Sequence, residues 1–242
     1  MQRLLTLMLI GLSITAISQT ENNRFNISFK AATGISIIHN SATVNMNHLY
    51  GGSPVRSIPK MSYEIGTAFH YSFEKTNLEI GVNYSNIQSL HKENTMGYSA
   101  ELEYSNSIRI ENVRNVGYIN FPIMLNREYK SFSIGGGLQS QFAVNVKEEK
   151  KMWTGPKSFD KTVDPILNRR TIKTFDIGFV GQASFFATEK IALNCKFYWG
   201  LANINNFQEK GVNYEFYQVE KPVIDRRLKS RQLLIGIQYH LF

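Results

Sequence analysis

The feature that most constrains this chain is a repeated alternation of apolar and polar residues, clearest in residues 232–242, QLLIGIQYHLF. One side of this segment carries only apolar residues: Leu233, Ile235, Ile237, Tyr239 and Leu241. Successive side chains of a β-strand point to opposite faces, so the segment is predicted to be a strand with one apolar face. An unpaired strand edge invites aggregation, and pairing this strand with the first one would close a barrel that has no edges.

The first 18 residues are predicted to be a secretory signal peptide that is cleaved before Gln19. Arg3 supplies a positive charge, and residues 4–17 are apolar but shorter than the roughly 20 residues that a spanning helix needs. Small residues precede the expected cut. A short membrane anchor is the alternative. The mature chain, residues 19–242, is then expected to form one domain.

Composition narrows the class of protein further. After Gln19 no apolar run reaches the length of a membrane-spanning helix, and the lone cysteine, Cys195, excludes an internal disulfide framework. The net charge of +8 would suit a nucleic-acid partner, but an exported protein is not expected to meet nucleic acid. Anionic lipid headgroups are the better expected partner for this charge.

Eight alternating segments are separated by connections that are short and long in turn. The short turns are residues 74–77, 126–130 and 188–190, and the long polar connections are residues 40–60, 91–107, 147–170 and 203–227. All short turns then lie at one end of the strands, and all long loops lie at the other. This pattern is typical of an all-β fold, an eight-stranded antiparallel up-and-down barrel.

The apolar faces are predicted to point outward into a membrane. They contain no Lys, Arg, Asp or Glu, and a lipid-facing Lys or Arg near the midplane would cost roughly 2–4 kcal/mol. Their many large side chains would not fit inside eight strands, whose interior is barely wide enough to be filled by side chains. The opposite faces are mostly small and polar. A soluble, lipocalin-like barrel with the apolar face inside is the alternative.

Aromatic residues are expected to form girdles at both edges of this transmembrane β-barrel. The turn-end girdle comprises Tyr71, Phe73, Phe132 and Tyr239, and the loop-end girdle comprises Tyr84, Phe142, Phe175 and Trp199. Pro122 lacks the N–H group that a strand ladder needs, so a bulge or the barrel rim is expected there.

The central hairpin carries a resemblance to a known family. Residues 118–125 read YINFPIML, and residues 131–142 read SFSIGGGLQSQF. A strand with proline at this position, a turn and a glycine-rich next strand resemble the outer-membrane β-barrel domain proteins common in Bacteroidetes, which include PorT-like proteins. The resemblance implies the outer membrane of a Gram-negative cell. It also permits a role as an accessory component of a secretion or uptake machine.

The inward faces carry seven ionisable residues, which we interpret as a polar network that fills the barrel. They are Lys30, Glu64, His70, Glu79, Asp176, Lys196 and His240. Buried charges are tolerated when they are paired and hydrogen-bonded, so such a network would leave no open pore. A proton or ion path is the alternative. The hairpin with its turn at residues 74–77 is expected to set Ser72 opposite Glu79 and His70 opposite Gly81, which predicts no catalytic pair.

A basic segment with two aromatic residues lies in the third long connection. Its candidate contact residues are Lys150, Lys151, Trp153, Lys157, Phe159, Lys161, Arg169 and Arg170. Guanidinium and ammonium groups bind phosphates and carboxylates, so this segment is a candidate contact for lipopolysaccharide or for a protein partner. A solvated loop without a partner is the alternative.

Signals for catalysis are weak. Ser89 and His91 are close in sequence, and a lipid-modifying acyltransferase or deacylase would need such a nucleophile and base. Their spacing matches no catalytic motif, no residues have metal-ligand spacing, and no cofactor is expected. The sequence therefore predicts a monomeric barrel with a structural or interaction role, and a lipid-modifying enzyme is the alternative.

Overall fold

The computed structural model describes residues 24–43, 56–97, 106–154, 158–163, 173–204 and 225–241. These residues form nine β-strands: β1 (Phe25–Thr43), β2 (Arg56–Phe73), β3 (Thr76–Gly97), β4 (Asn106–Glu128), β5 (Phe132–Thr154), β6 (Ser158–Val163), β7 (Phe175–Phe186), β8 (Ile191–Gly200) and β9 (Asp225–His240). The predicted signal peptide, residues 1–18, lies outside the described residues, so the division at residue 18 stays a prediction.

Eight of these strands close into a ring of antiparallel pairs. Their order is β4-β3-β2-β1-β9-β8-β7-β5, and β4 also pairs with β5. The first and last strands pair with Thr33 opposite Ile235, and the short strand β6 pairs with the loop end of β5. The predicted eight-stranded barrel is confirmed. In the described part of the chain no helix is long and apolar enough to cross a membrane.

The two faces of the strands differ as the alternation predicts. Phe179 is 58% exposed on the outer wall, whereas Gln182, three residues later, is 6% exposed inside the barrel. The same alternation runs along β2, β8 and the second half of β9. The outward orientation of the apolar faces is therefore confirmed, because the ladder places each apolar residue between two inward polar ones.

Several strands are longer than the sequence pattern indicates. Strands β3, β4 and β5 are 22 or 23 residues long, although a transmembrane strand needs only about 9–11 residues. The expectation that residues 91–107 and 147–170 are loops is therefore wrong in part. Their charged residues end the apolar alternation, but backbone pairing continues because the ladder does not depend on side-chain polarity. We call residues 88–97, 106–116, 146–154 and 158–163 the projecting sheet.

A β-bulge changes the phase of the long strands where the projecting sheet begins. The register of β4 and β5 shifts by one residue at Gly117 and Tyr118, because Gly117 pairs with Asn145 and Tyr118 pairs with Ala143. Consequently Val144 and Asn145 are both exposed and Val146 is buried. An unbroken period of two, continued from Phe142, would point Val146 outward and Asn145 inward, and the bulge reverses both because it resets that period.

Pro122 lies in the middle of β4, and the expected bulge or rim is not found there. It sits opposite Gln139 of β5, while its pairing with β3 is interrupted between Ile80 and Asn83. A Cβ atom on Gly81 would approach the Cγ atom of Pro122 to 2.9 Å. The missing donor is thus accommodated by a local break in the ladder, with a glycine that leaves room for the proline ring.

The hairpin between β2 and β3 has a two-residue turn. Phe73 pairs with Thr76, and Glu74 adopts a φ of 58°, the positive value that the first central residue of a primed hairpin turn needs. His70 therefore lies opposite Glu79. The expected register of this hairpin is wrong by two residues, because it assumed a longer turn.

Candidate functional site

A pair of buried charges connects opposite walls of the barrel. Lys196 Nζ of β8 donates hydrogen bonds to Glu64 Oε1 and Oε2 of β2 at 2.7 and 2.9 Å. Strands β9 and β1 lie between β8 and β2 in the ring, so this ion pair crosses the lumen. Asn83 and Asn120 also donate to Glu64, at 3.2 and 3.1 Å. Every oxygen of this buried carboxylate is thereby satisfied.

A second buried ion pair lies beside the first. Lys30 Nζ of β1 donates to Glu79 of β3 and, at 3.1 Å, to the side-chain oxygen of Gln182 on β7. Asn126 donates to the other oxygen of Glu79 at 3.3 Å. Because Lys30 reaches strands on both sides, the two ion pairs together connect β1, β2, β3, β7 and β8 across the lumen. We call Lys30, Glu64, Glu79 and Lys196 the charged layer.

Two histidines lie between the charged layer and the turn end. His70 hydrogen-bonds through Nε2 with Ser28 at 2.7 Å and through Nδ1 with Asn77 at 3.3 Å. The rings of His70 and His240 have centroids 5.3 Å apart. A small cavity at this end is lined by both histidines and by Glu79. This turn-end mouth is polar, and among the described residues no group of side chains could hold a metal ion.

Above the charged layer, three glutamines form what we call the amide band. Gln139, Gln141 and Gln232 are at most 2% exposed, and their amide atoms make no hydrogen bond to described protein atoms. Asp176, in the same region, accepts hydrogen bonds from Ser230 and, at 3.0 Å, from Tyr198. Buried amides without protein partners usually bind ordered water. We therefore expect the amide band to hold such water between its side chains.

An apolar cluster lies at the loop end of the interior. Its members come from β1, β3, β4, β5, β9 and the segment after β8, and they are Ile38, Ile87, Val116, Tyr118, Val146, Ile204 and Leu228. We call this cluster the apolar plug. Sequence reasoning missed it, although continuing the inward phase past residue 36 on β1 and residue 85 on β3 would have reached Ile38 and Ile87. Val146 could not be found in that way, because the bulge intervenes.

The structure brings some of the seven predicted interior residues together and separates others. Four of them form the charged layer, and His70 and His240 lie next to each other at the turn-end mouth. Asp176 lies elsewhere, held by hydroxyl groups rather than by a cation. All seven side chains are buried.

The basic segment lies largely on the projecting sheet. Lys150 and Lys151 are on β5, opposite Asn112 and Glu111 of β4, and Trp153 of β5 lies opposite Phe159 of β6. Lys161 is also on β6. Three of the predicted contact residues lie outside the described residues: Lys157, Arg169 and Arg170.

Ion pairs on the projecting sheet run between strands. Arg114 of β4 donates from Nε to Glu148 of β5 at 3.1 Å, and Lys92 of β3 lies 2.9 Å from Glu111 of β4. Glu148 is thus directed to the neighbouring strand. Lys147, the residue before it, is exposed, and its positive charge is presented to solvent.

Ser89 and His91 are in contact on β3, at the base of the projecting sheet. Ser89 Oγ lies 3.2 Å from His91 Nε2, and Ser57 Oγ lies 3.2 Å from His91 Nδ1. Ser89 is fully buried and His91 is 6% exposed. The contact has the length that a nucleophile and base require. Both side chains are buried, however, so a substrate could not reach them without displacing their neighbours.

A family comparison agrees with this architecture. The family model described as an outer membrane protein beta-barrel domain matches residues 17–206. This chain belongs to that family. Its location in the outer membrane is therefore confirmed, and the resemblance to outer-membrane barrel proteins holds at the level of the family. The narrower PorT-like assignment stays a prediction.

Solved structures of other outer-membrane proteins are similar in outline. Neisserial surface protein A is 10% identical and has a TM-score of 0.33, with 89% of this chain and 96% of that chain covered. Ail of Yersinia pestis is 9% identical, with a TM-score of 0.32 and coverages of 89% and 99%. OprG of Pseudomonas aeruginosa is 12% identical, with a TM-score of 0.33 and coverages of 88% and 95%. At these TM-scores the likeness carries no argument about function. No curated protein matches this chain.

The outer wall of this outer-membrane barrel carries an apolar belt between two aromatic edges. Phe73, Phe132 and Tyr239 are exposed at the turn end, and Phe142, Phe175 and Trp199 are exposed at the loop end. Tyr71 and Tyr84, which were also expected in the girdles, are half-buried. Short turns of such barrels face the periplasm and long loops face the outside, so the projecting sheet is predicted to lie on the extracellular side.

Proposed function

We propose that this protein is a monomeric outer-membrane barrel with a closed lumen, which presents its projecting sheet to a protein partner. The observation that carries the proposal is the contrast, along the barrel axis, between a filled interior and strands that extend past it. The interior is filled by the charged layer and the apolar plug, whereas β3, β4 and β5 continue well beyond the membrane. A barrel built in this way has its accessible surface outside the lumen.

Two barriers of different chemistry support a closed lumen. Opening the charged layer would leave Lys196 or Glu64 unpaired, and an uncompensated buried charge costs about 3–5 kcal/mol. Passage through the apolar plug would require a polar solute to lose its hydration among aliphatic side chains. In a planar bilayer, the purified protein is expected to give no porin-sized current steps, and such steps from a confirmed monomer would overturn the closed lumen.

The height of the basic segment favours a protein partner over lipid phosphates. Lys150 follows Phe142 of the loop-end edge by eight residues, which is about 26 Å along a strand. With a strand tilt of about 45°, the lysine backbone lies roughly 18 Å above that edge. Lipid phosphates lie near the edge itself. The projecting sheet is therefore suited to a soluble or membrane-bound protein, including a component of a secretion or uptake machine.

Crosslinking from a single exposed site tests this proposal. A photo-crosslinking residue at Lys147 is expected to capture one defined protein in native outer membranes, and the matched probe at Glu189, in the β7–β8 turn, is not. Charge reversal by Lys151→Glu should reduce capture without changing the folded-state mobility on gels. Equal capture from the two positions would contradict the proposal.

The contact between Ser89 and His91 keeps a lipid-modifying enzyme as the second candidate. Incubation of lipid A and phospholipid with the purified barrel, followed by mass spectrometry, tests it directly. We expect both lipids to be recovered unchanged. Loss or transfer of an acyl chain that is abolished by His91→Ala would make the enzyme the better explanation.

A further inference from the structure

A cationic patch lies on the outer wall where β8, β9 and β1 reach the loop-end edge of the apolar belt. Arg231 occupies the outward phase of β9, two residues before the lipid-facing Leu233. It lies opposite Trp199 on β8 and opposite Ile37 on β1. Two residues nearer the loop end, Lys229 of β9 lies opposite the exposed His39 of β1.

Arg231 is held in place by an aromatic ring rather than by an acid. Its guanidinium carbon lies 4.2 Å from the ring centroid of Trp199, and its Nε atom is buried without a hydrogen-bond acceptor among the described residues. Stacking occupies the face of a guanidinium and leaves the donors at its edge for a planar or tetrahedral anion. The indole thus orients a cation at the boundary between lipid and water.

The described outer wall next to this cation carries no compensating charge. The outward positions of residues 25–39, 191–199 and 229–241 include no Asp or Glu. A cation at a membrane edge without a carboxylate is stabilised by water or by an anion from the lipid. Arg231 and Lys229 lie on neighbouring outward positions of one strand, so both can reach a single anionic headgroup.

We propose that Arg231, stacked on Trp199 and assisted by Lys229, binds a phosphate of the glycolipid in the outer leaflet. The height of the patch carries this choice, because Arg231 lies in the same row as the edge residue Trp199, where lipid phosphates lie. Arginine binds phosphate through two parallel donors, and lysine adds a point charge. The patch is on the outer wall, so the proposal does not depend on the closed lumen or on a partner of the projecting sheet.

Binding of defined lipids by the full-length folded barrel in detergent tests the site. The reporter is Trp199 fluorescence in a Trp153→Phe background, which leaves Trp199 as the remaining tryptophan. We expect bis-phosphorylated lipid A to bind about tenfold more tightly than lipid A without phosphates, a preference of about 1.4 kcal/mol. The Arg231→Gln variant should lose most of that preference, and Arg231→Lys should keep part of it.

Arg127→Gln is the matched control, because Arg127 is an exposed outward cation at the turn end of β4. It should leave the preference for phosphorylated lipid A unchanged. If Arg231→Gln does not fold, Lys229→Gln should still reduce the preference by about threefold, which corresponds to the loss of one weaker charge contact. Equal affinity for the two lipids, an equal loss in Arg127→Gln, or equally tight binding of inorganic phosphate would each overturn the lipid-phosphate site.

Discussion

The apolar belt and the projecting sheet share strands β3, β4 and β5 and one continuous ladder, but they bury opposite kinds of residue. In the belt, Ile80 and Phe179 face lipid while Glu64 and Lys196 are buried inside. In the projecting sheet, Lys147 faces solvent, while Ile87 and Val116 at its base are buried in the apolar plug. The difference shows that the backbone ladder sets the shape, whereas the surrounding medium sets the side-chain pattern.

The largest difference in stability between the two regions is expected when one ion pair is broken in each. Lys196→Met leaves Glu64 charged and buried, and it is expected to lower the free energy of unfolding by about 3–5 kcal/mol. Lys92→Met removes the pair with Glu111 on the projecting sheet, where water reaches both side chains, and should cost about 1 kcal/mol or less. Urea unfolding in lipid vesicles, followed by tryptophan fluorescence, measures both.

The double variant Lys196→Met with Glu64→Gln is the control for this comparison. It removes the unpaired charge, so most of the loss caused by Lys196→Met should be recovered. A single variant no worse than Lys92→Met would show that the charged layer is hydrated and open, and the closed lumen would be wrong.

A lysine introduced on the outer wall should lower the free energy of unfolding by different amounts in the two regions. Ile80→Lys places an ammonium group in lipid and is expected to cost about 2–4 kcal/mol. Val113→Lys, on the projecting sheet, is expected to cost at most about 1 kcal/mol, because water solvates the new charge. Insertion yield into vesicles and urea unfolding both report the difference. Similar losses at the two positions would place the edge of the membrane beyond residue 113.

A smaller substitution compares packing inside the apolar plug with packing against lipid. Ile87→Val removes one methylene from a fully buried position and should cost about 1 kcal/mol. Ile80→Val should be nearly neutral, since acyl chains fill the space that the methylene leaves. If urea unfolding gives equal values for the two variants, the plug is looser than its burial indicates.

Shortening the projecting sheet should have the smallest effect on stability and the largest on partner capture. Joining Glu148 to Val163 removes residues 149–162 but retains the contact between Arg114 and Glu148. The free energy of unfolding is expected to change by about 0.5 kcal/mol or less, since surface residues contribute little. Crosslinking from Lys147 should disappear. Undiminished capture would show that the partner binds elsewhere.

Much of the barrel followed from local residue patterns. The period of two is a property of the chain itself, so the lipid-facing residues of β1, β2, β7, β8 and β9 could be predicted without any contact between strands. The same alternation identified the seven buried ionisable residues, because a charge on the inward phase has no other place to lie. The placement of the long connections at one end of the barrel followed from their alternation with the short turns.

Tertiary structure alone decided which strand positions meet. The partner of Lys196 depends on the stagger of eight strands around the ring, and no local pattern contains that stagger. The two-residue turn at Glu74 moved His70 opposite Glu79, and the bulge at Gly117 turned Val146 inward. The stacking of Arg231 on Trp199 likewise joins residues 32 positions apart. Sequence periodicity determined the two faces of the wall, whereas register and closure determined every contact across it.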